Sequence, residues 1–144
     1  MPDEVKNNKF SDETAAAEFF SYCEANDLDH DEAGMNEEDL KSFLTIKKRF
    51  IKACKQGRVV VDDTNILYIN SDRSPQGYSG EQVKITRPKG SAFSGMDGNK
   101  DTQTIRRLHG FCSAMTGKDI SYFTYLDIID WYFYRDIATL FLAE

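Results

Sequence analysis

Arg58-Val59-Val60-Val61-Asp62-Asp63-Thr64-Asn65-Ile66-Leu67-Tyr68-Ile69 is the stretch that decides the fold class. Two runs of β-branched and aromatic residues flank a short polar cluster, which is the pattern of a β-hairpin. Downstream, Ser71 to Gly80 contains Pro75 and Gly77 and reads as a polar loop. It leads to a third extended run, Gln82 to Thr86, closed by Arg87-Pro88 because proline cannot donate to a ladder. A small antiparallel meander is expected.

Towards the N terminus the periodicity becomes helical. Asn36 followed by Glu37, Glu38 and Asp39 supplies a capping side chain and three acids suited to the positive end of a helix dipole. This helix should run to Gln56, with Gly57 as its stop. Leu40, Phe43, Leu44, Ile46, Phe50, Ile51, Ala53 and Cys54 give it a wide apolar face, and Lys41, Lys48, Lys52 and Lys55 lie opposite. An earlier helix starts at Ser11 and ends near Ala25, with Ala16, Phe19, Phe20 and Cys23 at helical spacing. Residues 1–10 have no periodicity, and Asn26 to Met35 reads as an acidic loop.

Towards the C terminus, Lys89 to Asp101 has three glycines and no apolar period, so an exposed, mobile loop is expected. Thr102 can cap a helix to Met115, with Ile105, Leu108, Phe111, Cys112 and Met115 on one stripe and Gly117 after it. Ser121 to Leu126 suits a helical turn, and Asp127 begins a last helix. There Ile128, Trp131, Tyr132, Phe133, Tyr134, Ile137, Leu140, Phe141 and Leu142 cover more than one face. One face can pack on the sheet. The other needs a second element, another subunit or a client protein. Trp131, Tyr134, Ile137, Phe141 and Leu142 are therefore candidate partner-binding residues, against the alternative that they are simply core.

The class is α+β: N-terminal helices, a small three-stranded antiparallel meander, and two C-terminal helices packed on it. The division expected is an acidic N-terminal arm with one helix, residues 1–35, and a single α+β domain, residues 36–144. Charge supports that division. Residues 1–39 carry 13 acids against 2 lysines, a net of −11, and the remainder carries 11 acids against 16 bases, a net of +5. An acidic segment of this kind can fold back on basic surface, maintain solubility or meet a basic partner.

Cys23, Cys54 and Cys112 are odd in number, far apart and set in apolar helical patterns. They read as reduced buried thiols rather than a disulfide framework or zinc site. No run approaches the length of a membrane span, and Met1-Pro2-Asp3-Glu4 does not open a signal peptide, so a cytoplasmic location without membrane contact is expected.

Asp27-x-Asp29-x-Asp31, with Glu38 at the twelfth position and helices on both sides, copies the ligand spacing of an EF-hand calcium loop. Glu32 stands where the sharp turn needs glycine, and no second loop exists, so a solvated acidic connection is the preferred reading. His109 and Cys112 are three apart on one expected helix, the spacing of a base and nucleophile, but no orienting carboxylate or oxyanion motif lies nearby. Phosphate-cradling loops, dinucleotide fingerprints, HExxH and nucleophile elbows do not occur. A non-enzymatic protein without cofactors is expected. Lys48, Lys52 and Lys55 form a possible basic patch, with Lys47, Arg49 and Arg58 beside them and Arg106 and Arg107 elsewhere. The adjoining acidic segment and the lack of a base-reading motif argue against a nucleic-acid partner.

Five features of residues 83–144 occur in a fixed order. They are the strand Val83-Lys84-Ile85-Thr86 ending in Arg87-Pro88, the helix 102–115, the turn Thr116-Gly117, the segment Leu126 to Trp131 with Asp130 inside it, and the ending Phe141-Leu142. This layout resembles the tail assembly chaperones of tailed bacteriophages, of the Mu-like and related kinds. The resemblance implies a non-enzymatic protein that coats apolar stretches of the tape-measure protein while the tail tube polymerises. Its implied partners are phage tail proteins and copies of itself, in the host cytoplasm or the virion. A permanent virion subunit of baseplate, neck or tail completion, or a small cytoplasmic dimeric adaptor, is the competing expectation.

Overall fold

The computed structural model describes residues 11–92 and 104–143. Thr102, expected as a cap, lies outside them, as does most of the glycine-rich loop. Helix α1, Asp12–Ala25, begins where Ser11 accepts a hydrogen bond from the Thr14 amide at 3.1 Å. Helix α2, Glu37–Lys55, begins where Asn36 accepts from the Asp39 amide at 2.8 Å. Its end is a Schellman motif: Arg58 N–H donates to Ala53 O and Gly57 N–H to Cys54 O, each at 3.0 Å. Gly57 has φ +76°, a left-handed conformation that glycine adopts without a Cβ penalty.

Strands β1 (Val59–Asp62), β2 (Asn65–Ile69) and β3 (Gln82–Ile85) form the expected meander in the order β1-β2-β3, antiparallel throughout. Asp62 pairs with Asn65, leaving Asp63 and Thr64 as a two-residue turn. Asp63 takes φ +57°, which a short polar side chain tolerates. The register puts Val59, Tyr68 and Val83 in one cross-strand row and Val61, Ile66 and Ile85 in the next. With a side-chain period of two, all six lie on one face, and five of them are buried.

The helices cover that face. Helix α3 is Thr104–Thr116, α4 is the short turn Tyr122–Tyr125, and α5 is Ile128–Leu142, capped by Asp127 through the Ile129 amide at 3.0 Å. Helix α2 packs beside β1 and α3 beside β3, while α5 touches both helices. The Phe133 ring stacks on Tyr68 of the central strand at 4.2 Å, so α5 runs above the middle of the sheet. The mixed α+β class read from the sequence is the one observed.

Three expectations need correction. The helix assigned to an acidic arm belongs to the core: Ala15, Phe19, Tyr22 and Cys23 of α1 are all 0% exposed, in one cluster with α2, α5 and the sheet. Phe19 meets Phe50 at 5.0 Å and Phe43 at 5.5 Å. The arm reading weighed the charge of residues 1–39, but on α1 the acids Asp12, Glu13 and Glu24 are exposed and Glu18 is half-buried beside the buried positions, so charge and burial coexist on one helix. The buried stripe of α1 is accordingly 15, 19, 22, 23, with Ala16 and Phe20 at its edge.

The loop beginning at Lys89 also differs at its start. Gly90–Ala92 form a 3-10 turn, and Ala92 is 1% exposed, so the chain returns to the core directly after Pro88. Ile105, expected on the apolar stripe of α3, is 63% exposed, whereas Phe111, Cys112 and Met115 are buried.

Candidate functional site

Helix α5 carries the candidate contact residues, and the structure divides them. Tyr134 and Ile137 are 0% exposed and belong to the chain's own core, a correction to their assignment as partner contacts. The reason is that the second element needed by the all-round apolar helix lies in the same chain. Phe133 meets Phe50 of α2 at 5.8 Å, and Phe141 meets Tyr22 of α1 edge-on at 6.4 Å. Trp131, Phe141 and Leu142 are partly buried against this cluster. Trp131 stands edge-on to His109 at 4.5 Å, while Ile128 at the start of the helix is 59% exposed.

Two acids on this apolar helix organise a polar system that sequence reading did not identify. Asp130 is 0% exposed. Its carboxylate accepts from Tyr68 Oη at 2.6 Å, Ser71 N at 2.9 Å, Ser71 Oγ at 3.0 Å and Ser74 Oγ at 2.5 Å. Arg58 donates to Tyr68 Oη and places Nη1 3.7 Å from Asp130. Ser74 Oγ also accepts from the Asp127 amide at 2.9 Å, so the loop after β2 is tied to the start of α5 at two points. A neighbouring chain links Tyr134 Oη to Asn70 Oδ1 at 2.8 Å and Asn70 Nδ2 to Tyr122 Oη at 2.7 Å. Tyr122 then donates to Glu81, which Lys118 also meets at 2.9 Å. The Tyr122 hydroxyl and, less strongly, Lys118 hold the Glu81 carboxyl below its ordinary range.

Asp136 is 3% exposed and receives a bidentate pair from Arg49, at 2.6 Å and 2.9 Å. The available signal was the presence of two aspartates in a largely apolar helix, since buried carboxylates require donors; one, Arg135, stands beside Asp136 in the chain at 3.5 Å. Which other arginines answered them depended on the register of α5 against α2 and β2.

The basic patch is gathered. Lys48, Lys52 and Lys55 line a groove of about 950 Å³ between α1 and α2, with Lys47 beside them and Ala16, Leu44 and Ile51 as its apolar lining. Asp12 and Glu13 lie at one end. Lys55 pairs with Asp12 at 2.6 Å and Lys47 with Glu32 at 2.9 Å. Lys48 and Lys52 have no carboxylate partner among the described residues.

Asp27, Asp29, Asp31 and Glu38 do not assemble a calcium loop. Asp29 Oδ1 accepts from the Asp31 amide at 3.1 Å, Glu32–Gly34 form a 3-10 turn, and Glu38 lies in the first turn of α2. Among the described residues no three His, Cys, Asp or Glu side chains converge as a metal requires. His109 and Cys112 face different neighbours, His109 lying against Trp131 at 4.5 Å. Cys112 Sγ faces the Tyr134 carbonyl at 3.6 Å, and burial pushes its thiol far above the ordinary range. Burial, with Arg106 adding to it, lowers the His109 pKa.

All three cysteines are buried thiols outside any disulfide. Burial, together with the Glu18 charge, pushes Cys54 up to about 12. The native protein is therefore expected to react with a chromogenic disulfide reagent only as fast as it opens, and to release three thiols promptly in strong urea. Rapid labelling of even one cysteine in buffer would show that its helix is not packed as described.

Comparison with protein-family models, curated proteins and solved structures finds no significant match. Among the described residues no helix is long and apolar enough to cross a membrane.

Proposed function

We propose that the protein is a non-enzymatic assembly chaperone of the phage-tail kind, binding the tape-measure protein or tail-tube subunits. The observation that supports this reading is that the positions carrying the resemblance make one packed unit. Thr86, just before Arg87-Pro88, donates through N and Oγ1 to Met115 O at the end of α3, each at 2.8 Å. Gly117 then turns the chain with φ +75°, and Asp130 holds α5 to the loop after β2. The features that define the layout thus serve to close β3, α3 and α5 on one another. Partly exposed Trp131, Phe141 and Leu142 at the rim of that unit are the α5 residues offered to a client.

The test is co-expression of the full chain with tape-measure segments, scored by the soluble fraction of the segment. The wild type should keep the segment soluble. Trp131→Ala with Phe141→Ala should lose that effect while retaining the far-UV spectrum and a cooperative melt. A double variant that fails to fold assigns both rings to the core, and a segment insoluble with the wild type removes the chaperone reading. A fixed symmetric oligomer that never releases its partner would favour a permanent virion subunit or dimeric adaptor. A tape-measure gene directly downstream and a tail-tube gene upstream in the source genome would support the reading, baseplate genes would favour a permanent virion subunit, and non-viral neighbours would overturn both.

A further inference from the structure

The groove between α1 and α2 is built from the outer side of the two N-terminal helices, outside the segment on which the resemblance rests. On α2, Leu44, Lys48, Ile51, Lys52 and Lys55 follow helical spacing and form a single ridge. Leu44 and Ile51 are two turns apart, roughly 10 Å along the axis. Leu44 is 41% exposed, a large aliphatic side chain left in water, and Ile51 is half-buried. Ala16 on the facing helix is small enough to let another backbone approach.

Along the α2 side of this surface the charge that is not already neutralised is positive, and Glu13 of α1 is the acid left at the groove's end. Asp12 meets Lys55 and Glu32 meets Lys47, which leaves Lys48 and Lys52 flanking Ile51 without a carboxylate among the described residues. An apolar strip bounded by uncompensated lysines is complementary to one kind of helix, with apolar residues at i, i+3 or i+4 and i+7 and acids beside them. A nucleic-acid backbone fits less well. Among the described residues the groove's lining holds no aromatic side chain for base stacking, places Asp12 and Glu13 at its end, and includes apolar positions that phosphates would not use.

We propose that the α1–α2 groove is a docking site for an acidic amphipathic helix of a partner protein, with Leu44 and Ile51 receiving its apolar residues and Lys48 and Lys52 its carboxylates. This deepens the client-binding reading and rests on it for the partner being a protein. The groove's chemistry is testable without any phage component, so the two can fail separately.

The probe is a fluorescently labelled designed peptide of about five helical turns, with leucines at the stated spacing and glutamates elsewhere. A second peptide has every glutamate replaced by lysine. Binding to the full chain is read by anisotropy at several salt concentrations. The acidic peptide should bind at least about tenfold more tightly than the basic one and weaken as salt rises. Lys48→Glu with Lys52→Glu should invert the preference. Leu44→Asp should weaken the acidic peptide by about tenfold or more. All these positions are exposed, so unchanged melting curves are expected and would show that folding is not the cause.

Equal affinity for both peptides overturns the proposal. So does wild-type binding by the charge-reversed variant, or competition by a single-stranded thymidine oligonucleotide that is unaffected by Leu44→Asp. Self-association abolished by Leu44→Asp would overturn it in favour of a second copy as the occupant. If the acidic peptide binds as stated but tape-measure segments stay insoluble in co-expression, the groove stands and the chaperone reading falls.

Discussion

Replacing Asp130 with alanine is expected to destabilise the protein by about 3–5 kcal/mol, the cost of removing one member of a buried charged network. The carboxylate is 0% exposed and accepts from the Tyr68 and Ser74 hydroxyls and from both the amide and hydroxyl of Ser71. Alanine would leave these donors in a space with no replacement acceptor, and Arg58 without the anion beside it. The loss should appear in urea unfolding as a lower midpoint with an unchanged slope, because the surface exposed on unfolding is the same. Tyr68→Phe, which removes one donor and leaves the carboxylate three others, should cost only about 1 kcal/mol. Equal stability of the Asp130→Ala variant and the wild type would mean that the network is open to water in solution.

The Phe19→Ala substitution is expected to cost about 3–5 kcal/mol. Phe19 is 0% exposed and lies against Phe43 and Phe50, so truncation opens a cavity at the junction of α1 and α2. Trp131, the single tryptophan, sits on α5 beside His109 of α3 and so reports on packing between elements other than α1 and α2. Its fluorescence and the far-UV signal should therefore move together to lower urea in this variant, as one cooperative unit requires. An α1 that is merely appended would give a variant whose tryptophan transition matches the wild type. The outcome thus decides whether residues 12–25 are arm or core.

These two sites also show which parts of the molecule could be read from the chain. The cap at Asn36, the stop at Gly57 and the turn between Val61 and Ile66 are local, since each depends on residues within a few positions of one another. Three strands and their order followed from the same short-range signals. The acidity of residues 1–39 misled the domain division, because net charge sums over all faces of a helix while burial concerns only one. Spacing placed Lys48, Lys52 and Lys55 on one side of α2, but nothing local indicated that α1 would stand opposite and make a groove of it.

By itself, then, the sequence determined the main helices and strands, the ends of α1 and α2, the start of α5 and the antiparallel meander, because capping, chain reversal and side-chain period are set by near neighbours. Only the tertiary structure decided the rest. It chose α1, α2 and α3 to cover α5, so that Tyr134 and Ile137 became core while Trp131 stayed at the rim. It also brought Arg58, Tyr68, Ser71 and Ser74 to Asp130. The physical reason is that a buried carboxylate can be answered by any correctly placed donor, and placement across dozens of residues depends on how whole helices and strands pack.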